Sequence, residues 1–409
     1  MQRFDLRAGR DPQSFGLGLK EVWRVPKGRA RPGLVQHTLG WPLSHNVYGG
    51  SFLYHMAPDL VLLGLVVGLD YANPFLSPYS ELQRWKHHPA VRSHIEGGEC
   101  IQYGARVINA GGLQAVPKLA FPGGALVGCS AGFVNVPKIK GTHTAMKSGM
   151  LAADAVADAL APAAGSGRAA GGAGLELAGY QQALERSWVW DELRGVRNYH
   201  PSFKLGLLPG MLYSGLSAFA LKGREPWTFR NSLPDSAKTA PAIGHAPIAY
   251  PKPDGVLSFD LLTNLARSGT NHEADQPAHL RVRAGMEAVP SDVSLATFGA
   301  PESRFCPAKV YEFVDKKCVR DLPAADAARS SDRAAHWRHP LSSSAATLTC
   351  VPHRQTRFFP LPSPPRPPRP GSSSTRRTAC TARPAPSRRR ASTSSGPCPR
   401  PEAAARATR

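Results

Sequence analysis

The chain has 409 residues and a mass of 43.8 kDa, room for two or three domains. Its 50 Lys and Arg against 29 Asp and Glu give a net charge of +21, but residues 351–409 hold 13 Arg and one Glu, a net of +12, together with 13 of the 39 prolines, so the first 350 residues carry only +9. No run of 18 or more apolar residues occurs, which excludes a polytopic helical membrane protein, and seven cysteines at wide, irregular spacing exclude a secreted disulfide framework.

Residues 1–160 read as mixed α/β. Residues 60–69 form a ten-residue apolar run ending at Asp70, and its two glycines and three valines suit a buried strand. Ser77-Pro78 predicts a helix start, with the hydroxyl at the N-cap and proline at the first helical position. Pro89 limits that helix. Residues 121–132 predict a turn, a short strand ending at Val127 and a glycine-containing loop. Gly141 and Thr142 then open a helix to about Leu160. Its Met146, Gly149, Met150, Ala153, Val156, Ala157 and Leu160 recur at spacings of three and four, which predicts one packed face.

Residues 161–174 are Ala/Gly-rich and read as a loop insertion. Its Gly165-Ser166-Gly167 lacks the third glycine and the preceding strand of a phosphate loop. Residues 180–200 are amphipathic and charged, with Trp188 and Trp190. Residues 205–221 are 17 uncharged residues, slightly short of a spanning helix. Two readings stay open for them. One is a buried core hairpin. The other is a segment dipping into one leaflet, flanked by Arg194, Arg197, Lys204, Lys222 and Arg224 and by Trp188, Trp190, Tyr213 and Trp227. From about residue 320, Ser, Ala, Arg and Pro dominate without periodicity, which predicts a disordered basic tail.

Several blocks, in order, resemble the electron-transfer flavoprotein:ubiquinone oxidoreductase family. They are Gly49-Gly50-Ser51-Phe52-Leu53-Tyr54-His55, Gly68-Leu69-Asp70-Tyr71, Gln83-Arg84-Trp85-Lys86-His87-His88-Pro89, residues 135–149, Tyr250-Pro251-Lys252-Pro253-Asp254-Gly255, residues 268–280 and Arg304-Phe305-Cys306-Pro307. The resemblance covers about residues 4–314. It implies transfer of electrons from reduced electron-transfer flavoprotein to ubiquinone through FAD and a [4Fe–4S] cluster. It also implies a monotopic place on the matrix face of the mitochondrial inner membrane, with the lipid surface as a further partner. Leu205 to Leu221 then becomes the membrane segment.

The implied architecture is α+β / α/β. Residues 1–110 would be the β-rich quinone-binding part and 111–160 the C-terminal part of a glutathione-reductase-like FAD domain. Residues 161–249 would be a helical, membrane-associated quinone region, 250–319 a partial ferredoxin-like iron–sulfur module and 320–409 the tail. The resemblance places the quinone head group on the backbone of Gly49 and Gly50, where the lack of Cβ atoms allows close approach. Tyr54 and His55 are candidates for the same pocket, with a structural role for His55 as the competing reading.

It places the flavin ring against Gly128, Cys129, Ser130, Gly141 and Thr142, where the positive end of a helix would favour a reduced anionic flavin. As a core helix alone, residues 141–160 would need no ligand. Phe15-Gly16-Leu17-Gly18 is two glycines and not a dinucleotide fingerprint, and the family's own fingerprint falls upstream of residue 4. The expectation is therefore a chain truncated at its N-terminus; no targeting segment precedes the polar sequence after Met1.

Cys306 matches the first cluster ligand. A [4Fe–4S] cluster needs four thiolates, yet no C-x-x-C occurs, and Cys318, Cys350, Cys380 and Cys398 lie 12, 44, 74 and 92 residues further on. Lys309 stands where the family has glycine, and the resemblance stops after Val314. The abrupt change there fits a shifted reading frame. Two other functions compete: an inactive fragment or basic polyanion binder, and another FAD-dependent oxidoreductase of the same architecture. The Arg-rich tail would contact polyanions in a salt-sensitive, sequence-independent way, without a specific nucleic-acid partner.

Overall fold

A computed structural model describes residues 1, 3–161, 174–273, 276, 282–314 and 347–350. Its centre is a five-stranded antiparallel sheet of β1 (Phe15–Arg24), β2 (Val35–Thr38), β3 (Gly49–Met56), β4 (Leu60–Gly68) and β5 (Glu99–Asn109), in the order β2-β3-β4-β1-β5. The apolar run at 60–68 pairs on both sides, Gly49↔Val67 to β3 and Gly16↔Gly68 to β1, so the predicted buried strand is present. Val61, Leu63, Leu65 and Val67 turn their side chains to one face, with Leu17, Leu19 and Trp23 of β1 and Leu53 of β3.

Two helices cover that face between β4 and β5. α1 (Pro78–Lys86) starts as expected, with the Ser77 hydroxyl accepting the Ser80 N–H at 3.3 Å. Pro89 ends it and also opens α2 (Pro89–Ile95), whose N-cap is His88. Leu82, Trp85, Val91 and Ile95 fill the core from the helices, with Leu257 and Phe259 from a later segment. Burying each such side chain contributes about 1.5–3 kcal/mol.

After β5 the strand expected to end at Val127 is reduced to a minimal hairpin, β6 (Ala120–Phe121) with β7 (Gly124–Ala125). Leu126 adds one bond, to the Leu119 carbonyl at 2.7 Å, before Gly128 turns the chain at φ 57°. α3 (Thr142–Leu160) has the expected span but the opposite face is packed. Met146 is 66% exposed and Met150 57%, whereas Thr144, Ser148 and Ala152 are buried. The small residues let the helix lie close to the Gly128 turn, where Ser148 Oγ accepts the Gly128 N–H at 2.9 Å. A longer side chain on that face would hold the turn off. Beyond α3, α4 (Ala178–Glu185) and α5 (Trp188–Gly195) complete a second core around Phe133, Tyr180, Leu184, Val189 and Leu193.

The short α6 (Tyr199–Ser202) leads into α7 (Leu207–Leu216), which continues through a wider turn at Ser217–Leu221. The core-hairpin reading of residues 205–221 is overturned: Leu208, Leu212 and Phe219 are 71%, 77% and 85% exposed. Arg197 differs from the expected flanking residues. It is buried, and its guanidinium donates to the carbonyls of Arg194, Gly223 and Trp227 and to Thr228 Oγ1, tying down the chain that returns from α7. It is therefore not one of the outer basic flanks, unlike the exposed Lys222 and Arg224.

Residues 250–314 wrap the α1 side with the six-residue α8 (Leu261–Ala266) and end in β8 (Tyr311–Val314). β8 pairs with β9 (Thr347–Cys350), so this part of the expected tail forms a strand, as its alternating Thr-Leu-Thr-Cys allows. The insertion at 162–173, the remaining tail, and Cys318, Cys380 and Cys398 lie outside the described residues.

Candidate functional site: one end of the sheet

Antiparallel pairing places the start of β3, the end of β4, the start of β1 and the end of β5 together at one end of the sheet. Both groups of expected site residues meet this end. Gly49 and Gly50 begin β3. Asn109 ends β5 and donates from Nδ2 to the Cys129 carbonyl at 2.6 Å. Three strand spacings separate β3 from β5, about 14 Å.

At the β3 corner, β2 stops at Thr38 opposite Ser51. Gly49 and Gly50 run past it, with β4 on their other side only. Since main-chain groups in such a strand alternate in direction, part of this backbone faces the open side. An added Cβ on Gly49 would strike the Val66 carbonyl and Leu43 Cδ1, and one on Gly50 would lie 2.8 Å from the Thr38 carbonyl oxygen and 2.9 Å from Leu39 Cδ2. Glycine is thus required by the fold here; the exposed Leu39 lines the open edge, and Leu43 packs into the core behind it. The 39–48 loop is fastened to α7, the Leu207 N–H donating to the His45 carbonyl at 2.9 Å. The open edge and the exposed apolar helix are consequently contiguous.

Tyr54 and His55 are elsewhere. His55 is five residues along β3 from Gly50, about 17 Å, where Nδ1 accepts the Arg31 N–H at 2.9 Å and Nε2 meets His94 Nδ1 at 3.0 Å. The tyrosine ring stacks on Phe52 at 5.1 Å. The structural role is the one found for His55.

At the β5 corner, Gly128–Ser130 form a single 3-10 turn against the first turns of α3. Gly128 is buried while Cys129 and Ser130 are exposed. Gly141 is the α3 N-cap and supplies no side-chain acceptor, and Thr144 turns its hydroxyl away to the Phe133 and Gly141 carbonyls at 2.6 and 2.9 Å. The first amides of a 19-residue helix are left to a ligand or water. These residues fit the ring end of a flavin. Among the described residues no Gly-rich strand–turn–helix offers an ADP site.

Cys306 is 8% exposed, and its Sγ accepts the Val310 N–H at 3.4 Å. The neighbouring Pro307 carbonyl accepts from Tyr103 OH of β5 at 3.1 Å. Lys309 has φ 50°, the left-handed region that glycine adopts freely. Among the described residues no group of three or more His, Cys, Asp or Glu could hold a metal. One thiolate does not complete a cluster site.

Residues 15–108 match the family model described as ETF-QO, ubiquinone-binding, and residues 255–325 match electron transfer flavoprotein-ubiquinone oxidoreductase, 4Fe-4S. The chain belongs to the electron transfer flavoprotein-ubiquinone oxidoreductase family. It is 54% identical over 317 residues to the mitochondrial oxidoreductases of that name from Rattus norvegicus and Homo sapiens, 76% of this chain and 51% of each relative. The rice protein of that name (Oryza sativa subsp. japonica) is 52% identical over 302 residues, 74% of this chain and 50% of the relative. The chain spans about half the length of these relatives. Among solved structures, a flavin-dependent brominase aligns over 55% of this chain and 54% of its own at 17% identity and a TM-score of 0.32. That likeness is too low to argue a fold from.

Sequence reasoning missed three residues at this end of the sheet: Tyr48, His200 and Asp70. The Tyr48 ring lies edge-on to His200 with centroids 4.5 Å apart, and to Phe203 at 5.1 Å. An added Cβ on Gly68 would sit 2.9 Å from Asp70 Oδ1 and 3.1 Å from the Tyr48 carbonyl oxygen. Asp70 is paired with Lys238 at 3.1 Å. Tyr48 and Asp70 directly flank Gly49-Gly50 and Gly68-Leu69, the one signal that could have found them; His200 has none.

Proposed function

We propose that this chain carries the quinone-reducing part of an electron-transfer flavoprotein:ubiquinone oxidoreductase. The quinone head group binds on the backbone of Gly49 and Gly50, and its tail leaves along α7. The observation that carries this reading is the open strand edge beside Thr38, contiguous with a helix whose Leu208 and Leu212 are more than two-thirds exposed. No described helix is long and apolar enough to cross a membrane. A ten-residue helix with an apolar outer face suits a segment lying in one leaflet. Trp227 Nε1 donates to Tyr213 OH at 2.9 Å beside it, and Lys222 and Arg224 are exposed at its end, the arrangement an interfacial anchor uses.

Residues 1–110 serve as the β-rich quinone part, 111–160 as the closing half of the flavin domain, 161–249 as the membrane-facing region and 250–319 as part of the iron–sulfur module. Electrons come from reduced electron-transfer flavoprotein, at the matrix face of the inner mitochondrial membrane. FAD, when bound, would supply the exchange between two-electron and one-electron chemistry. The Gly128–Ser130 turn and the amides after Gly141 would hold its ring end, where the positive end of the helix would favour negative charge on the ring. Cys306 would give one thiolate to a [4Fe–4S] cluster, whose other ligands the described residues do not supply.

Photolysing an azido-ubiquinone analogue on the full chain with anionic phospholipid vesicles tests the quinone site. Label is expected on peptides holding residues 39–50 and 199–216. Label confined to other peptides refutes the assignment.

A further inference from the structure

We propose that His200 is the proton donor to a carbonyl oxygen of the bound quinone, and that the Tyr48 phenol is a second hydrogen-bond donor to the same head group. This inference rests on the quinone site assigned to Gly49 and Gly50.

Both side chains are donors with no protein acceptor among the described residues. Among the described residues neither the His200 ring nor the Tyr48 hydroxyl makes a hydrogen bond, although each is largely enclosed. The rings pack edge-on at 4.5 Å, and Phe203 closes the other side of Tyr48. Burial pushes the Tyr48 phenol up to about 12, with the Asp70 carboxylate adding to it, so the proton stays on. Burial pulls His200 down to about 4, against the opposing field of Asp70, so the ring is neutral near pH 7. A neutral imidazole keeps one N–H donor and one acceptor nitrogen.

A quinone carbonyl is the complementary ligand, since it only accepts. Water would satisfy the same donors, but Tyr48 directly precedes Gly49-Gly50, so a quinone bound on that edge lies next to it. The other charged groups facing this corner are already committed. Lys238 pairs with Asp70 at 3.1 Å and Asp235 at 3.5 Å, and Asp235 accepts the Phe15 N–H at 2.7 Å. Lys204 donates to the Arg230 carbonyl at 2.5 Å, and the Arg230 side chain pairs with Asp11 at 2.8 Å. Of the two rings that pack on Tyr48, His200 is the titratable one.

Two electrons from the reductant and two protons convert the two quinone carbonyls to hydroxyls. One carbonyl oxygen takes the His200 N–H proton while the opposite ring nitrogen takes a proton from water, leaving the imidazole in its other tautomer. The second carbonyl is protonated from water.

The test uses the full chain and a short-tail ubiquinone analogue, with dithionite as the electron source. The chain is held in excess so that the analogue is bound, and loss of quinone absorbance is followed by stopped flow. In His200→Gln the bound analogue is expected to be reduced at least tenfold more slowly and to bind within twofold of the unchanged chain. Added imidazole should restore the rate, which a merely structural role would not allow. An unchanged rate with binding retained overturns the donor assignment and leaves the quinone site standing. Failure of the analogue to bind the unchanged chain overturns the site reading and this inference with it. If His200→Gln does not fold, the 15N-labelled His200 ring of the unchanged chain is titrated by NMR with and without the reduced analogue. A titration that moves upward by a unit or more supports the assignment, and one that stays put overturns it.

Discussion

Glu21 on β1 and Lys86 at the end of α1 meet at 2.9 Å with neither side chain exposed. Glu21 lies on the core-facing side of its strand, between Leu19 and Trp23, where an unpaired carboxylate would be untenable. Its two oxygens also accept from Trp23 Nε1, Gln83 Nε2 and Asn264 Nδ2 at 2.8, 3.1 and 2.7 Å. The Lys86 ammonium additionally faces the Trp23 and Phe259 rings at 5.3 and 5.0 Å. One ion pair therefore joins the sheet, α1, α8 and the segment before α8. Removing only the cation, in Lys86→Met, leaves the carboxylate buried and is expected to destabilise the chain by about 3–5 kcal/mol. Lys86→Met with Glu21→Gln should recover part of that loss in urea denaturation. Equal losses in the single and double variants would contradict this.

His55 and His94 make the fold acid-sensitive at the opposite end of the sheet. His55 Nδ1 accepts the Arg31 N–H, so its proton is on Nε2 and is donated to His94 Nδ1. Burial lowers both rings below the ordinary 6.5, with Arg31 acting in the same direction. A depressed histidine is neutral in the fold while the unfolded chain takes up protons first. Stability is therefore fully present above about pH 6.5 and falls as the pH drops below it, toward the lowered folded values. The urea midpoint should decrease from pH 7.5 to 5, and His55→Asn should flatten that decrease. An equally steep profile in the variant would count against the pair.

Lys309 carries the cost of a left-handed backbone at φ 50°. Lys309→Gly removes the Cβ conflict, offset by the larger freedom of glycine in the unfolded chain. A net gain of about 0.5–1 kcal/mol is expected, read as a higher urea midpoint. A loss would mean that the Lys309–Glu312 pair at 3.5 Å outweighs the backbone term.

The outer face of α7 should govern membrane attachment. Leu212→Glu with Phe219→Glu places charge where the side chains are 77% and 85% exposed, so folding should be preserved within about 0.5 kcal/mol. Sedimentation with phospholipid vesicles should fall at least tenfold. Undiminished sedimentation would assign the lipid contact to another surface.

Much of the local structure was written in the sequence. The 60–68 strand, the Ser77-Pro78 helix start and the Gly141 helix start depend on neighbours within a few positions, and hydrophobic runs and caps report those directly. The family, and with it Gly49, Gly50 and Cys306 as site candidates, came from ordered blocks of residues. Which side of an element is buried is decided by what packs on it, and here local pattern misled. Met146 and Met150 looked like the packed face of α3, but Ser148 is the residue that meets the Gly128 turn. The uncharged run at 205–221 by itself fitted a core hairpin better than a membrane segment, the family resemblance pointed the other way, and the exposed Leu208 and Leu212 rule the core hairpin out.

The partners with the greatest chemical consequence are also the most distant. Asn264 reaches Glu21 across 243 positions, and the Tyr48 ring meets His200 although neither sits in a recognisable motif. The sequence determined which segments become strands and helices, because those choices rest on short-range torsional and capping preferences. The tertiary structure decided which polar groups lack a protein partner, because that depends on every element packed around a group. That places an unspent imidazole beside the open strand edge at Gly49 and Gly50.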